Sequence, residues 1–237
     1  MLQSLKRLYG NKLGASDGEI GHVKDFYFDD QSWAVRYLVA DTGSWLPGRQ
    51  VLISPHSLGT LDPEAGVLRV SLTRQQVENS PSIETHKPVS RQYEEEYYRY
   101  FGWPGYWQGD QLWGLTGFPI LAGQAAPPPG EPARADGSQT RPADPHLRSA
   151  QDVTGYHLRT VDATIGHVGD FLMDPRSWAI GQLVVKTGHR LTGREVLISA
   201  GQVDRISYDD STVFVNLTGA DIENSPAYEL EPAGAQR

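Results

Sequence analysis

One stretch of this chain occurs twice at a constant spacing. Gly18-Glu19-Ile20-Gly21-His22-Val23-Lys24-Asp25-Phe26 returns as Ala163-Thr164-Ile165-Gly166-His167-Val168-Gly169-Asp170-Phe171, 145 positions later. Glu78-Asn79-Ser80-Pro81 returns as Glu223-Asn224-Ser225-Pro226 at the same offset. Between Gly10 and Pro81, roughly 30 of about 70 paired positions are identical without a gap. A chain with this internal period folds as two copies of one small domain. Each copy spans about 80 residues, near the lower limit at which a single core is self-sufficient.

Within each copy the hydrophobic period is two. Leu68, Val70 and Leu72 alternate with Arg69 and Ser71, as Val213, Val215 and Leu217 alternate with Phe214 and Asn216. That pattern predicts a strand with one buried face. Trp33, Val35, Tyr37 and Val39 predict another. Val51-Leu52-Ile53 and Val196-Leu197-Ile198 read as strands buried on both sides. Asp29-Asp30-Gln31-Ser32 and Asp174-Pro175-Arg176-Ser177 carry turn chemistry. Thr42-Gly43 opens a hairpin loop that closes at Gly48-Arg49, and Thr187-Gly188 and Gly193-Arg194 do the same in the second copy. Thr73-Arg74-Gln75-Gln76 fits a capping box for a brief helix, with Pro81 and Pro226 just past the helix ends. Five or six short strands and a helical turn in so few residues predict a small closed barrel.

The order of these signals resembles the PRC-barrel family. The residues that carry the resemblance are Gly-x-x-Ile-Gly-x-Val-x-Asp, a Trp-Ala strand, Gly-Arg-x-Val-Leu-Ile and a final Leu-Thr-…-Ser-Pro. They cover residues 10–81 and 155–226, about 60% of the chain. The resemblance implies an all-β protein of two small PRC-type β-barrels, each ending in a short helical turn. It brings no catalytic residues, because the family uses the barrel as a docking module. The barrel also forms the cytoplasmic domain of the photosynthetic reaction centre H subunit and the C-terminal domain of the ribosome maturation factor RimM. These contexts supply alternative expectations: a ribosome- or RNA-processing-associated factor, or a peripheral subunit of a membrane complex.

Residues 82–122 match neither copy. Tyr93, Tyr97, Tyr100 and Phe101 make one aromatic stripe on a predicted helix starting near Ser90, with Glu94, Glu95 and Arg99 turned away. Trp103-Pro104-Gly105-Tyr106-Trp107, Trp113 and Phe118 continue the aromatics without regular structure. Such rings either pack on a barrel of the same chain or form a partner site, since aromatics dominate both cores and interfaces. From Ala125 to Pro145 the composition turns to Pro, Ala and Gly, which predicts a flexible tether. The expected organisation is therefore a first barrel at 1–87, an aromatic helix and loop at 88–122 and a flexible linker at 123–149. A second barrel follows at 150–230 and a disordered tail at 231–237.

Several patterns invite a chemical reading. Gly14-Ala15-Ser16-Asp17-Gly18 matches a nucleophile elbow in letters, yet it lies between short strands and the second copy has no equivalent Ser. His22 and His167 each precede Asp25 or Asp170 by three residues, which reads as a structural polar pair in a turn. Arg49 and Arg194, beside buried strands, are expected to pair with Asp25 and Asp170. Gly21 and Gly166 complete the set of matched structural positions. No phosphate loop or dinucleotide fingerprint is present, so no cofactor and no metal are expected.

The net charge of −8 argues against a broad phosphate-binding surface, so direct nucleic-acid binding is not expected. No apolar run approaches the ~20 residues needed to cross a bilayer, and the start lacks a signal-peptide pattern. With no cysteine, disulfides are excluded. The expectation is a cytoplasmic, non-enzymatic adaptor that holds protein partners, self-associates or pairs its own barrels. It could also sit peripherally on a membrane complex. Surface positions have diverged between copies at Tyr37/Gln182, Trp45/Arg190 and Arg69/Phe214. The expected contact residues are Trp45, Trp103, Tyr106, Trp107 and Phe214.

Overall fold

A computed structural model describes residues 2–47, 49–62, 65–81, 89, 91–120, 147–188 and 193–229. Most of the expected linker, the expected C-terminal tail, Ser90 and Arg190 lie outside the described residues. The chain is mostly β, with two mixed sheets of seven strands each. In chain order the strands are β1 (Gln3–Ser4), β2 (Lys12–Ala15), β3 (Gly18–Asp29), β4 (Ala34–Asp41), β5 (Gln50–Ile53), β6 (Leu58–Asp62), β7 (Val67–Val70) and β8 (Leu147–Ser149). They continue with β9 (His157–Arg159), β10 (Thr164–Met173), β11 (Ile180–Thr187), β12 (Glu195–Ser199), β13 (Val203–Ser207) and β14 (Thr212–Val215). The helices are α1 (Arg74–Glu78), α2 (Arg91–Phe101), α3 (Ala150–Val153) and α4 (Gly219–Glu223). None of the helices among the described residues is long and apolar enough to cross a membrane.

The chain divides into two compact units. A repeat-1 unit comprises Arg7–Ser149 and Pro175–Ala179; a repeat-2 unit comprises Met1–Lys6, Ala150–Asp174 and Ile180–Arg237. In the repeat-1 unit the strand order is β5-β4-β3-β2-β7-β6, with β8 added on β3. Among its described strands, β2 and β7 are the one parallel pair. The repeat-2 unit has the matching order β12-β11-β10-β9-β14-β13, with β1 added on β10 and β9–β14 parallel. Neither sheet closes on itself through hydrogen bonds. In each, the two edge strands are consecutive in the chain, joined by a 3-10 turn at Pro55–Ser57 or Ala200–Gln202.

The added strands come from outside the repeat they complete. Ser149 pairs with Tyr27 in the repeat-1 unit, and Ser4 pairs with Leu172 in the repeat-2 unit. Ser4 and Ser149 are themselves 145 residues apart, as are Tyr27 and Leu172. The duplication thus extends into the short segment preceding each copy, and each such segment is built into the sheet of the opposite copy.

Local sequence explains the shared geometry. Gly21 has φ +128°, and a Cβ there would lie 2.0 Å from the Asp41 carbonyl oxygen. A Cβ on Gly166 would lie 2.0 Å from the Lys186 carbonyl oxygen. Only glycine permits this close approach of strands. The next residues carry matched β-bulges, at Val23/Asp25 and Val168/Asp170. The capping box at Thr73 and Gln76 is formed as expected, and Thr218 with Asp221 repeats it at α4.

Two strand expectations change. Trp33 is not in a strand; it is a turn residue at φ +57°, matched by Trp178 at φ +58°. The strand beginning at Ala34 is buried on both faces, not one. Tyr37, expected on the surface, is 0% exposed. The reason is α2 and the loop after it, which cover this face of the repeat-1 sheet. The repeat-2 unit has no such cover among its described residues, and Gln182 and Leu197 are accordingly only half-buried.

Candidate functional site

The densest chemistry lies under α2 in the repeat-1 unit. The face Glu94, Tyr97, Tyr98 and Phe101 falls at i, i+3, i+4 and i+7, and all four are buried. Glu94, expected to face solvent, is 0% exposed. Its Oε1 accepts hydrogen bonds from the Tyr37 and Tyr106 hydroxyls, both at 2.8 Å, and its Oε2 lies 3.1 Å from Arg91 Nη1. A buried carboxylate is tolerated only when paired and hydrogen-bonded, and this one has both kinds of partner. Burial, reinforced by the Glu94 charge, pushes the Tyr37 and Tyr106 hydroxyls well above their ordinary range. These tyrosines therefore act as fixed donors.

Arg36 joins the same layer. Its Nη1 donates to the Leu112 carbonyl at 2.6 Å and its Nη2 to Ser32 Oγ at 2.9 Å, while the guanidinium lies 3.7 Å from the Tyr106 ring centroid. His56 packs against Trp103, Tyr98 and Trp113, with ring centroids 5.4, 5.9 and 5.2 Å away. Burial, with Arg36 nearby, holds His56 below its usual value. As a neutral ring it donates from Nδ1 to the Ile120 carbonyl at 2.9 Å. Sequence reasoning missed Glu94, Arg36 and His56. The available signal was that Glu94 occupies the first position of the buried helical stripe.

The expected contact residues separate into two groups. Trp103 and Tyr106 are buried at 9% and 5% exposure within their own unit, so neither ring presents a face to a partner. Trp45, Trp107 and Phe214 are half-buried, each beside an arginine. Arg74 lies 4.8 Å from the Trp45 ring and Arg91 4.6 Å from the Trp107 ring. Phe214 has Arg205 at 3.9 Å and Arg159 at 5.9 Å. A further apolar surface was not anticipated: Leu115, Phe118 and Ile120 are 76%, 57% and 48% exposed on one loop after α2.

The matched positions are structural in a different way from that expected. His22 and His167 are exposed, whereas Asp25 and Asp170 are buried at 7%. His22 and Asp25, like His167 and Asp170, lie three apart on one strand, where side chains alternate between faces, so no His–Asp pair forms. Asp25 instead accepts from Ser149 Oγ at 2.5 Å and from the Phe26 amide at 2.7 Å. Asp170 accepts from Ser4 Oγ, the Lys6 amide at 3.0 Å and the Phe171 amide at 2.7 Å. Burial nevertheless holds the Asp170 carboxyl above its ordinary value.

Arg49 and Arg194 do not reach these carboxylates. Arg49 donates from Nη1 to the Glu78 carbonyl and from Nη2 to the Ser80 carbonyl, both at 2.5 Å, and Arg194 Nη2 donates to the Glu223 carbonyl. They satisfy the orphan carbonyls at the ends of α1 and α4. Ser16 sits in the turn between β2 and β3, its hydroxyl donating to the Leu72 carbonyl at 3.2 Å. No known protein family matches the chain, and neither does any curated protein.

Proposed function

We propose that the chain is a non-enzymatic adaptor built from two PRC-type barrels, acting in the cytoplasm by holding protein partners. The barrel reading is supported by the strand order. In each unit the two ends of the sheet are joined by a single 3-10 turn, so the sheet has to curl to bring them together.

The observation that carries the functional reading is the loop bearing Leu115, Phe118 and Ile120, at 76%, 57% and 48% exposure. Three large apolar side chains within six residues, presented beside a fully packed aromatic layer, mark an interaction surface. Aromatic and arginine residues lead the binding hot spots, and Trp107 with Arg91 lies on the same segment.

The test is affinity capture from native lysate by wild type and by a Leu115→Ser/Phe118→Ser/Ile120→Ser variant, each with and without nuclease. The adaptor reading expects a defined protein partner that survives nuclease and is lost in the variant, with Tm within about 2 °C of wild type. Equal capture by both proteins would refute the loop as the contact surface.

One observation favours a second reading. Phe214, flanked by Arg205 and Arg159, gives the repeat-2 unit an aromatic and cationic surface that the repeat-1 unit, with Arg69 and Gly14 at the matching positions, does not reproduce. A ribosome-associated role would use it, and ribosomal proteins lost on nuclease treatment would promote that role over the adaptor.

A further inference from the structure

The short segment preceding each repeat is a donated strand with a defined receiving slot. In the repeat-2 unit, Gln3 and Ser4 pair with Met173 and Leu172, and the Leu5 amide donates to the Phe171 carbonyl at 2.9 Å. Ser4 Oγ and the Lys6 amide both donate to the buried Asp170, and Leu5 is 0% exposed. In the repeat-1 unit, Leu147, Arg148 and Ser149 pair with Asp29, Phe28 and Tyr27, and Ser149 Oγ donates to the buried Asp25. Both donors read Leu-x-Ser followed by a small or apolar residue: Leu2-Gln3-Ser4-Leu5 and Leu147-Arg148-Ser149-Ala150.

An empty slot would be costly. It would leave a sheet without its added strand and a buried aspartate without its hydroxyl donor. The chemistry of the slot does not specify which chain supplies the strand, because a second copy carries the same Leu-x-Ser segment. What selects the donor is effective concentration. A strand tethered in the same chain competes at about the millimolar level against one arriving from solution.

We propose that the slot beside β10 is a binding site for an extended Leu-x-Ser segment, filled by the chain's own segment in dilute solution and by that of a second copy in trans at about millimolar concentration. The product is a strand-exchanged dimer. This assembly is independent of the adaptor reading, because it involves neither the loop at 115–120 nor the arginine-flanked rings.

The chain contains no cysteine, which allows a clean test. Gln3 and Met173 are Cα partners across the antiparallel pair, a separation a disulfide can span. A full-length Gln3→Cys/Met173→Cys variant should close its own disulfide when refolded in dilute solution. An equimolar mixture of full-length Gln3→Cys and full-length Met173→Cys should then be refolded together at about 1 µM and about 1 mM. The expected result is almost no interchain disulfide at the low concentration and a dimer comprising a large fraction of the protein at the high one. Three outcomes would overturn the proposal. The double variant fails to close its own bridge; the mixture gives no interchain disulfide at about 1 mM while the double variant does close; or Gln3→Cys alone gives as much dimer as the mixture.

Discussion

Asp170 and His56 are buried titratable groups with opposite consequences for pH. Burial holds the Asp170 carboxyl above 3.8, so the folded chain binds that proton more tightly than the unfolded one. Between 3.8 and its raised native value, the stability it contributes falls as pH rises. Burial holds His56 below 6.5, so the unfolded chain binds its proton more tightly. Between its lowered native value and 6.5, stability falls as pH drops. Tm profiles of Asp170→Asn and His56→Gln should each lose the corresponding slope, and an unchanged profile in either would remove that residue from the account. Glu94 holds the polar part of its layer together. Replacing it with Leu leaves two buried tyrosine hydroxyls without their acceptor and should cost about 3–5 kcal/mol. Glu94→Gln retains an acceptor and should cost less, about 1–3 kcal/mol. Urea unfolding distinguishes these values, and a Leu variant as stable as wild type would contradict the network. Trp103→Ala should lose about 3–5 kcal/mol by the same measurement, because the ring is packed and not presented.

Among the elements, the short helices depend on their ends more than on their length. α1 has five residues, capped at its start by Thr73 and Gln76 and bound past its end by the two arms of Arg49. Arg49→Ala should cost about 1.5 kcal/mol, and Arg49→Lys should not restore it, since one ammonium cannot span two carbonyls as a guanidinium does. Rescue by lysine would show that charge alone matters there. α2 works differently. Its stripe of Glu94, Tyr97, Tyr98 and Phe101 covers β4, and that cover is why Arg36 and Tyr37 occur where the second copy has Gly181 and Gln182. The divergence between the copies at these positions therefore reflects packing within the repeat-1 unit and is not surface drift.

At the scale of the whole molecule, the chain passes between its two units after Lys6, after Ser149, after Asp174 and after Ala179. Residues 1–6 belong with the second copy and Leu147–Ser149 with the first, so sequence order and unit membership do not coincide. Deleting residues 1–6 should quicken amide hydrogen exchange in β10 and β11 while leaving β3 and β4 protected. Faster exchange centred on β3 would contradict the assignment of that segment.

Local and periodic features were legible from sequence because they are written in neighbouring residues. The duplication, the alternating strand around Leu68–Val70, the capping box at Thr73, the glycines at 21 and 166 and the turn around Ser16 all follow from spacing and from the stereochemistry of single residue types. Other features depended on which distant segments meet. A carboxylate in an amphipathic helix reads as solvent-facing until Tyr37 and Tyr106 are known to lie opposite it. Arg49 reads as a partner for Asp25 until the end of α1 is found beside its guanidinium and Ser149 beside the carboxylate. Repetition by itself determined that there are two copies of one β domain. Only the tertiary structure decided that each copy takes its added strand from the segment preceding the other, because strand pairing is a long-range contact that identical local sequences cannot assign.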